Sequence, residues 1–377
     1  MMKIGITCYP TFGGSGTVAT ELGRTLARRG HKVHFITTAL PYRLSGYVEN
    51  VFFHEVQVFN YPLFDYVPYS LSLASKMAQV ALREDLDILH VHYAIPHATS
   101  AYLAKSVIAG KKDLPVITTL HGTDITLVGN DPSYFDITKF SIEQSDVITA
   151  VSAYLRAQTI NRFQVTKDIT VIPNFVNTDK FNPRGTEYRD CFHHPDEKIL
   201  MHISNFRPVK RIQDIIEVFE GVSAAVKSRL LLIGNGPEME RIRSLVDEKG
   251  LTARVSFLGR QDDVSHLLPC ADIYLLTSAH ESFGLTALEA MSCGVPMIGT
   301  SGSGMSEFLG DNSAGFLYPV GDVEAMIKGC LRILTEPSLK EKMGLAGRNR
   351  VIAEYNEEEI VNRYEDLYRT VLDARQA

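Results

Sequence analysis

Short apolar runs alternate with amphipathic segments along the whole chain. Runs of about four to eight apolar residues suit strands that are buried on both faces, and amphipathic segments with a period of about 3.6 residues suit the helices that cover them. In the first half the pattern predicts strands at 3–8, 32–37, 51–58, 88–92, 116–120 and 147–151, and helices that include 17–28 and 71–84. In the second half it predicts strands at 199–204, 230–233, 255–258, 273–277 and 297–300, and helices that include 212–226 and 238–248. This alternation is typical of the α/β class and predicts two doubly wound parallel sheets.

The hydrophobic periodicity is interrupted near residues 171–181, where Pro173 and a cluster of Asn and Asp residues lie. We therefore predict an N-terminal domain over 1–170 and a C-terminal domain over 171–355. The last segment, 356–377, follows every predicted strand and is typical of an acidic, then amphipathic helix. Ligands of doubly wound sheets bind beyond the carboxyl ends of the strands, so the expected site is a cleft across which the two halves face each other.

Composition narrows the class of protein. The chain has 377 residues, of which 45% are hydrophobic and 22% charged, and a net charge of -6, which argues against a nucleic-acid partner. No apolar run is long enough to span a membrane, and the N-terminus has no segment of the signal-peptide type. The five cysteines are scattered and form no CxxC pair, which favours reduced thiols and a cytoplasmic location.

Two glutamates eight residues apart, Glu281 and Glu289, flank Gly284. On a continuous helix they would be offset by about 12 Å along the axis, whereas the acids of a retaining glycosidase are about 5–5.5 Å apart. The spacing therefore favours hydroxyl binding, with Glu281 on a loop and Glu289 inside a helix that starts at Gly284. The free N–H groups at that start suit a diphosphate. A helix with solvent-exposed glutamates is the alternative interpretation.

Two further segments follow predicted strands. The loop Gly13-Gly-Ser-Gly16 follows the first strand, lacks the GK[ST] sequence of a P-loop, and is as consistent with a structural turn as with phosphate binding. Ser15 or Thr17 is expected to cap the helix that follows. Asn205-Phe-Arg-Pro-Val-Lys-Arg211 follows the first strand of the second half, where a phosphate-binding cation is expected.

Histidines and acids supply the remaining candidates. His121-Gly-Thr-Asp124 follows the strand at 116–120, and His121 is either a sugar contact or a turn residue. His90 and His92 share one strand face, and without a third ligand we favour packing and polar contacts over a metal site. Asp85-Leu-Asp87 has the form of a metal–diphosphate motif but precedes a strand, so we interpret it as a turn. No metal is expected.

Together with Ile172-Pro-Asn174, these motifs form a set that resembles the motifs of glycosyltransferase family 4. They stand in the same order, and the resemblance extends over nearly the whole chain. The resemblance implies the GT-B fold, with two Rossmann-like domains, the acceptor in the first and the nucleotide sugar in the second, and a final helix that returns to the first domain. It implies that Glu289 binds the ribose, Glu281 the sugar 3- and 4-hydroxyls, and Lys210 the diphosphate. The family usually has arginine at the position of Asn205, and Arg207 or Arg211 is expected to substitute for it. The other donor contacts that it implies are Gly14, Ser15, Arg260, Phe283, Gly284, Leu285 and Thr286.

Several stretches are similar to one branch of this family, which forms the malate glycoside of bacillithiol biosynthesis. They are Ile4-Gly-Ile-Thr-Cys-Tyr-Pro, Gly13-Gly-Ser-Gly, His90-Val-His-Tyr-Ala, Thr118-Thr-Leu-His-Gly-Thr-Asp and Ser204-Asn-Phe-Arg-Pro-Val-Lys-Arg. The similarity implies transfer of N-acetylglucosamine from UDP-N-acetylglucosamine to the 2-hydroxyl of L-malate with retention and without a metal. The similarity also implies that His121, Lys210 and Glu281 are the catalytic residues. Candidates for malate binding are Ser15, Tyr93, Thr119 and Arg156.

Two alternatives stay open at this point. Another family 4 enzyme would use inositol phosphate, a lipid or a polysaccharide as the acceptor. A GT-B UDP-N-acetylglucosamine 2-epimerase would turn over the nucleotide sugar with no acceptor. Either of these enzymes, like the malate transferase, is a candidate homodimer, because homodimers are common among soluble proteins.

Overall fold

The computed structural model describes residues 1–11, 13–59, 63, 65–185, 188–192 and 196–376. The chain divides into two compact units, one made of Met1–Asn174 with Glu358–Ala377 and the other of Phe175–Glu357. The first division lies four residues beyond the boundary that we placed at residue 170. Each unit contains one sheet, and every strand pairing in both sheets is parallel. The predicted α/β class with two parallel sheets is confirmed.

The sheet of the first unit has seven strands in the order β3-β2-β1-β4-β5-β6-β7. The strands are β1 (Lys3–Thr7), β2 (Lys32–Thr37), β3 (Val51–Glu55), β4 (Ile88–His92), β5 (Val116–Leu120), β6 (Val147–Ala150) and β7 (Ile169–Val171). The helices of this part of the chain are α1 (Gly14–Arg28), α2 (Tyr69–Arg83), α3 (Thr99–Val107), α4 (Thr123–Thr126), α5 (Pro132–Gln144) and α6 (Ala153–Phe163). The strand order reverses between β1 and β4, which is where ligands bind in such sheets.

The sheet of the second unit has six strands in the order β10-β9-β8-β11-β12-β13. The strands are β8 (Lys198–Ile203), β9 (Ser228–Ile233), β10 (Val255–Gly259), β11 (Ile273–Leu276), β12 (Met297–Thr300) and β13 (Gly315–Tyr318). The helices are α7 (Arg189–Phe192), α8 (Ile212–Ala225), α9 (Met239–Glu248), α10 (Leu285–Ser292), α11 (Ser306–Leu309), α12 (Val323–Thr335) and α13 (Pro337–Glu354). Here the order reverses between β8 and β11.

The spacing of apolar residues explains these elements. The helix α8 buries Ile212, Ile215, Ile216 and Phe219, which share one face of a helix, in the core of the second unit. All five residues of β4 are buried, as expected for a central strand that is covered on both faces.

The last helix, α14 (Glu357–Gln376), supplies the first unit with residues from the far end of the chain. Tyr364 and Tyr368 on this helix are almost completely buried, and the Tyr368 hydroxyl lies 2.7 Å from Nδ1 of His90. Glu365 accepts a hydrogen bond from Arg29 at 2.8 Å. The predicted helix extends to Ala377, which lies outside the described residues.

Candidate active site

A cation is fixed in the loop that follows β8. The backbone of Phe206 holds this loop, because its N–H donates to the carbonyl of Asn235 at 3.0 Å and its carbonyl accepts from Glu238 at 2.9 Å. A single 3-10 turn then covers Pro208–Lys210, and Arg211 adopts the left-handed conformation with φ 48°. The half-buried side chain of Lys210 therefore stands just beyond the carboxyl end of β8, as the sequence predicts.

Lys210 contacts Glu281 directly. Nζ of Lys210 donates to Oε2 of Glu281 at 2.7 Å, and the Ser278 hydroxyl donates to the same oxygen at 3.3 Å. The Thr277 hydroxyl lies 3.2 Å from the carbonyl of Lys210 and 3.1 Å from that of Arg211. The structure thus joins the loops that follow β8 and β11, at the point where the strand order of the second sheet reverses. An ammonium and a carboxylate therefore lie side by side at this point.

The helix α10 begins next to this pair. Its N-cap is Gly284, in the left-handed conformation with φ 94°, and no side chain caps the helix. The N–H groups of the first turn of a helix have no intrahelical acceptor and carry a partial positive charge, so this end suits an anion. Glu281 precedes the helix and Glu289 lies inside it, only 2% exposed, which confirms the predicted placement of both residues relative to the helix. Leu285 and Thr286 form the first turn, and Phe283 is buried just before it.

The predicted second cation has two candidates with different surroundings. Arg211 makes a double contact with Asp214, at 2.7 and 3.0 Å, and is therefore committed to a nearly buried carboxylate. Arg207 is exposed, and Asn205 is half-buried. Arg207 is thus the better candidate. Arg260 is exposed and directly follows β10.

The glycine loop of the first unit departs from the prediction in its capping. The helix α1 starts at Gly14 with Gly13 as its N-cap, and no side chain caps it, so the expected cap by Ser15 or Thr17 is wrong. Thr17 is already within the helix, and the Ser15 hydroxyl donates to the Tyr93 hydroxyl at 3.2 Å instead. A Cβ on Gly16 would lie 2.5 Å from the carbonyl oxygen of Tyr9, so close backbone packing alone explains this glycine.

The four residues proposed for acceptor binding differ in access. Thr119 is completely buried, and its hydroxyl lies 2.7 Å from both Nε2 of His90 and the hydroxyl of Thr149. These contacts occupy the Thr119 hydroxyl within the first unit, and its contact with the acceptor stays a prediction. Tyr93 contacts Ser15 and has φ 91°, which is unusual for a residue with a side chain, and Arg156 is exposed on α6.

His121 directly follows β5 and is held on two sides. Nε2 of His121 lies 2.8 Å from Nδ1 of His92. On the backbone side, Asp124 accepts hydrogen bonds from the N–H groups of Gly122 at 2.8 Å, His121 at 3.3 Å and Ala94 at 3.0 Å. Burial lowers the pKa of His121 to about 3, so the imidazole is neutral at physiological pH. Burial raises the pKa of Asp124 to about 6, although the backbone donors oppose this shift.

Three supporting residues were missed by the sequence reasoning. Asp124 fixes the backbone of the His121 loop, Thr277 joins two loops, and the Tyr274 hydroxyl lies 2.8 Å from the Thr286 hydroxyl at the start of α10. The first two have a signal in the sequence, because Asp124 stands three residues after His121 and Thr277 stands at the end of a predicted strand. Tyr274 has none, because it lies within a continuous apolar strand.

No metal-binding cluster of three or more His, Cys, Asp or Glu side chains occurs among the residues that the structure describes. Asp85 and Asp87 lie in the turn that connects α2 and β4, as predicted, and Asp87 accepts a hydrogen bond from the Lys3 N–H at 2.7 Å. Within the described ranges, none of the helices has the length and apolar character that crossing a membrane requires.

Comparison with known proteins identifies the family. Residues 12–180 match the model of Glycosyltransferase Family 4, and residues 186–350 match that of Glycosyl transferases group 1. N-acetyl-alpha-D-glucosaminyl L-malate synthase of Bacillus anthracis is 49% identical over 373 residues, which cover 98% of this chain and 97% of the relative. The chain belongs to glycosyltransferase family 4. The resemblance noted in the sequence is confirmed, and this family 4 glycosyltransferase is related to the Bacillus anthracis enzyme over its full length.

Solved structures agree on the fold of this family 4 glycosyltransferase. Sucrose-phosphate synthase from Thermosynechococcus elongatus superposes with a TM-score of 0.83 at 22% identity, over 99% of this chain and 100% of the other. Anabaena Alr3699/HepE, solved with UDP and glucose, superposes with a TM-score of 0.82 at 18% identity, over 97% of this chain and 99% of the other.

Proposed function

We propose that this enzyme transfers N-acetylglucosamine from UDP-N-acetylglucosamine to the 2-hydroxyl of L-malate with retention, which is the first step of bacillithiol biosynthesis. The observation that carries the proposal is the 49% identity, over 98% of the chain, to a relative named N-acetyl-alpha-D-glucosaminyl L-malate synthase. The site of the second unit supports it, because it offers groups for both parts of a nucleotide sugar.

The donor is proposed to bind at the Lys210–Glu281 pair and the start of α10. The ammonium of Lys210 would contact diphosphate oxygens, helped by the N–H groups beyond Gly284, and the carboxylate of Glu281 would accept hydrogen bonds from sugar hydroxyls. In this structure Lys210 and Glu281 form an ion pair with each other, with Nζ of Lys210 2.7 Å from Oε2 of Glu281. Donor binding would therefore exchange this contact for one with phosphate and one with hydroxyls.

The proposed reaction breaks the bond between C1 of the sugar and the diphosphate oxygen, and forms a bond from C1 to the malate 2-oxygen on the same face. The proton of the malate hydroxyl passes to the departing diphosphate oxygen. Negative charge grows on that leaving group in the transition state, and Lys210 and the start of α10 would stabilise it. The reaction needs no enzymic nucleophile.

Further parts of the proposal concern the location, the partners and the oligomeric state of the enzyme. We propose that it works without a metal in the cytoplasm, on these two small molecules alone, as a homodimer. Activity in EDTA tests the metal independence, and light scattering of the purified protein tests the dimer. A loss of activity in EDTA that Mg²⁺ restores would overturn the former, and a monomeric mass would overturn the latter.

The test of the reaction is UDP release from UDP-N-acetylglucosamine with and without L-malate. We expect release that depends on malate, with a product that carries the sugar on the malate 2-oxygen. Release only with another acceptor would keep the family and reject malate. Conversion of the nucleotide sugar without an acceptor would indicate an epimerase.

A further inference from the structure

Four imidazoles gather near the carboxyl ends of β4 and β5 in the first unit. They belong to His90, His92, His97 and His121. The rings of His90 and His92 stack with centroids 4.5 Å apart, and those of His92 and His121 stack at 5.1 Å. Only His121 stands at the position expected for a substrate contact. The other three histidines are completely buried, so their role must be exerted through neighbours.

The hydrogen bonds of the cluster allow its protons to be placed. Burial lowers the pKa of His90 to about 3, of His97 to about 4 and of His92 well below its usual range, so the rings are neutral. A neutral imidazole has one N–H and one acceptor nitrogen. Nδ1 of His97 contacts the carbonyl oxygen of His92, which only accepts, so Nδ1 of His97 carries the hydrogen. Its Nε2 is then an acceptor, and the Tyr69 hydroxyl lies 3.4 Å away.

His92 has two possible proton positions with different consequences. Nε2 of His92 is buried and has no hydrogen-bond partner among the described residues. A hydrogen there would leave a buried N–H group unpaired, which native structures avoid more strictly than an acceptor that lacks a donor. The favoured position is therefore Nδ1, from which the hydrogen is donated to Nε2 of His121 at 2.8 Å.

The proton of His121 follows from this assignment. Because Nε2 of His121 accepts, the hydrogen of its neutral ring must lie on Nδ1. Within the described part of the chain Nδ1 has no hydrogen-bond partner, yet it is not one of the atoms sealed from solvent, and His121 is half-buried. An N–H donor therefore faces open space, on a loop whose backbone is fixed by Asp124.

We propose that His92 is a positioning residue that fixes His121 as an Nδ1–H donor to a hydroxyl oxygen of the transferred sugar. As a sugar contact, His121 has two possible roles, a contact to the sugar 6-hydroxyl or to the developing positive centre. An N–H group at Nδ1 suits the first and opposes the second, since its hydrogen carries partial positive charge. This inference rests on the proposed function for the identity of the sugar, but the proton assignment does not.

The proton assignment is tested by NMR of 15N-histidine-labelled enzyme without substrate. We expect Nδ1 of His121 to be protonated and Nε2 to be a bare acceptor. The His92→Leu variant should lose this single form, whereas His92→Asn, whose amide N–H can replace Nδ1–H, should keep it. A hydrogen on Nε2 of His121 in the unaltered enzyme would overturn the inference, whatever the enzyme transfers.

The role in transfer is tested with a donor that lacks the 6-hydroxyl. Omitting this group should slow the unaltered enzyme but have little further effect on His92→Leu, because the contact is already lost. His92→Leu alone should lower kcat by about 10- to 100-fold, the range seen when a supporting partner is removed, with the KM for malate unchanged. His92→Asn should restore most of kcat. Equal sensitivity of both enzymes to the missing hydroxyl would overturn the role, and hydrogen exchange in β4 and β5 controls for folding of the first unit.

Discussion

Lys210 and Glu281 are at once an ion pair and the proposed donor contacts. Their side chains are 19% and 15% exposed, so the pair is shielded from solvent but open on one side. A partly exposed pair contributes little stability, typically about 1 kcal/mol or less, which leaves both groups available to a ligand at small cost. The sequence predicted a role for each residue, but their contact depends on two loop conformations that no periodicity encodes.

Replacing Lys210 with alanine removes the cation that we propose stabilises the leaving group. Lys210→Ala should lower kcat by about 10²- to 10³-fold, as loss of one group that stabilises transition-state charge does elsewhere, with little change in the KM for malate. Steady-state kinetics of UDP release measures both quantities. Lys328→Ala, which removes an exposed lysine paired with Glu324 on α12, is the matched control and should be silent. A similar loss in kcat and in malate affinity would contradict the assigned role.

The buried histidines make the first unit sensitive to acid. Burial lowers the pKa of His90 to about 3 and of His97 to about 4, against 6.5 for an unperturbed histidine. Between these values the unfolded chain binds protons that the folded unit does not, so the free energy of unfolding falls as the pH drops from about 6.5 to about 4. The slope is up to about 1.4 kcal/mol per pH unit for each histidine. Denaturant titrations of His97→Asn should show a shallower slope than the unaltered protein, and an equal slope would refute this account.

At the scale of elements, the central strands and the edge strands β3 and β10 were predicted, but two other edge strands were not. The five residues of β4, Ile-Leu-His-Val-His, are all buried. The strands β7 and β13, at the edges of the two sheets, were missed. One residue of β7 is buried, and β13 begins with Gly315 and buries only that residue fully. An edge strand packs against one neighbour, so a continuous apolar run is not required of it.

The start of α10 depends on a glycine. Gly284 has φ 94°, and a Cβ there would lie 3.1 Å from Cγ of Met305. Gly284→Ala should therefore lower the free energy of unfolding by about 1–2 kcal/mol and also weaken UDP-N-acetylglucosamine binding, because the first turn is displaced. Denaturant titration and calorimetric binding measure the two effects.

Gly250 provides the control for this substitution. It also has a positive φ, 65°, but a Cβ there would meet no atom within 4 Å. Gly250 follows α9. The Gly250→Ala variant should lose a similar amount of free energy of unfolding but bind the nucleotide sugar normally. If both variants bind the donor equally well, the start of α10 does not contribute to the site.

For the whole molecule, α14 is the element that ties the end of the chain to the first unit. Tyr368→Ala should lower the free energy of unfolding of that unit by about 3–5 kcal/mol, the usual range for deletion of a buried aromatic ring. Hydrogen exchange should accelerate in β4 and β5 and stay unchanged in β8 and β11. Tyr368→Phe keeps the ring, loses only the contact of the hydroxyl with His90, and should cost about 1 kcal/mol. Equal acceleration in both units would show that α14 does not act on the first alone.

The position of α14 also sets the order in which the enzyme matures on the ribosome. The strands of the first unit emerge early, but Tyr364 and Tyr368, which complete its interior, are synthesised only after the whole of Phe175–Glu357. At about 5–20 residues per second that interval is on the order of ten to forty seconds. During this time the apolar surface of the first unit that α14 covers is exposed to solvent. The unit that is begun first is therefore finished last. A nonsense mutation anywhere in the second unit would leave both units incomplete, because it would also remove α14 from the first.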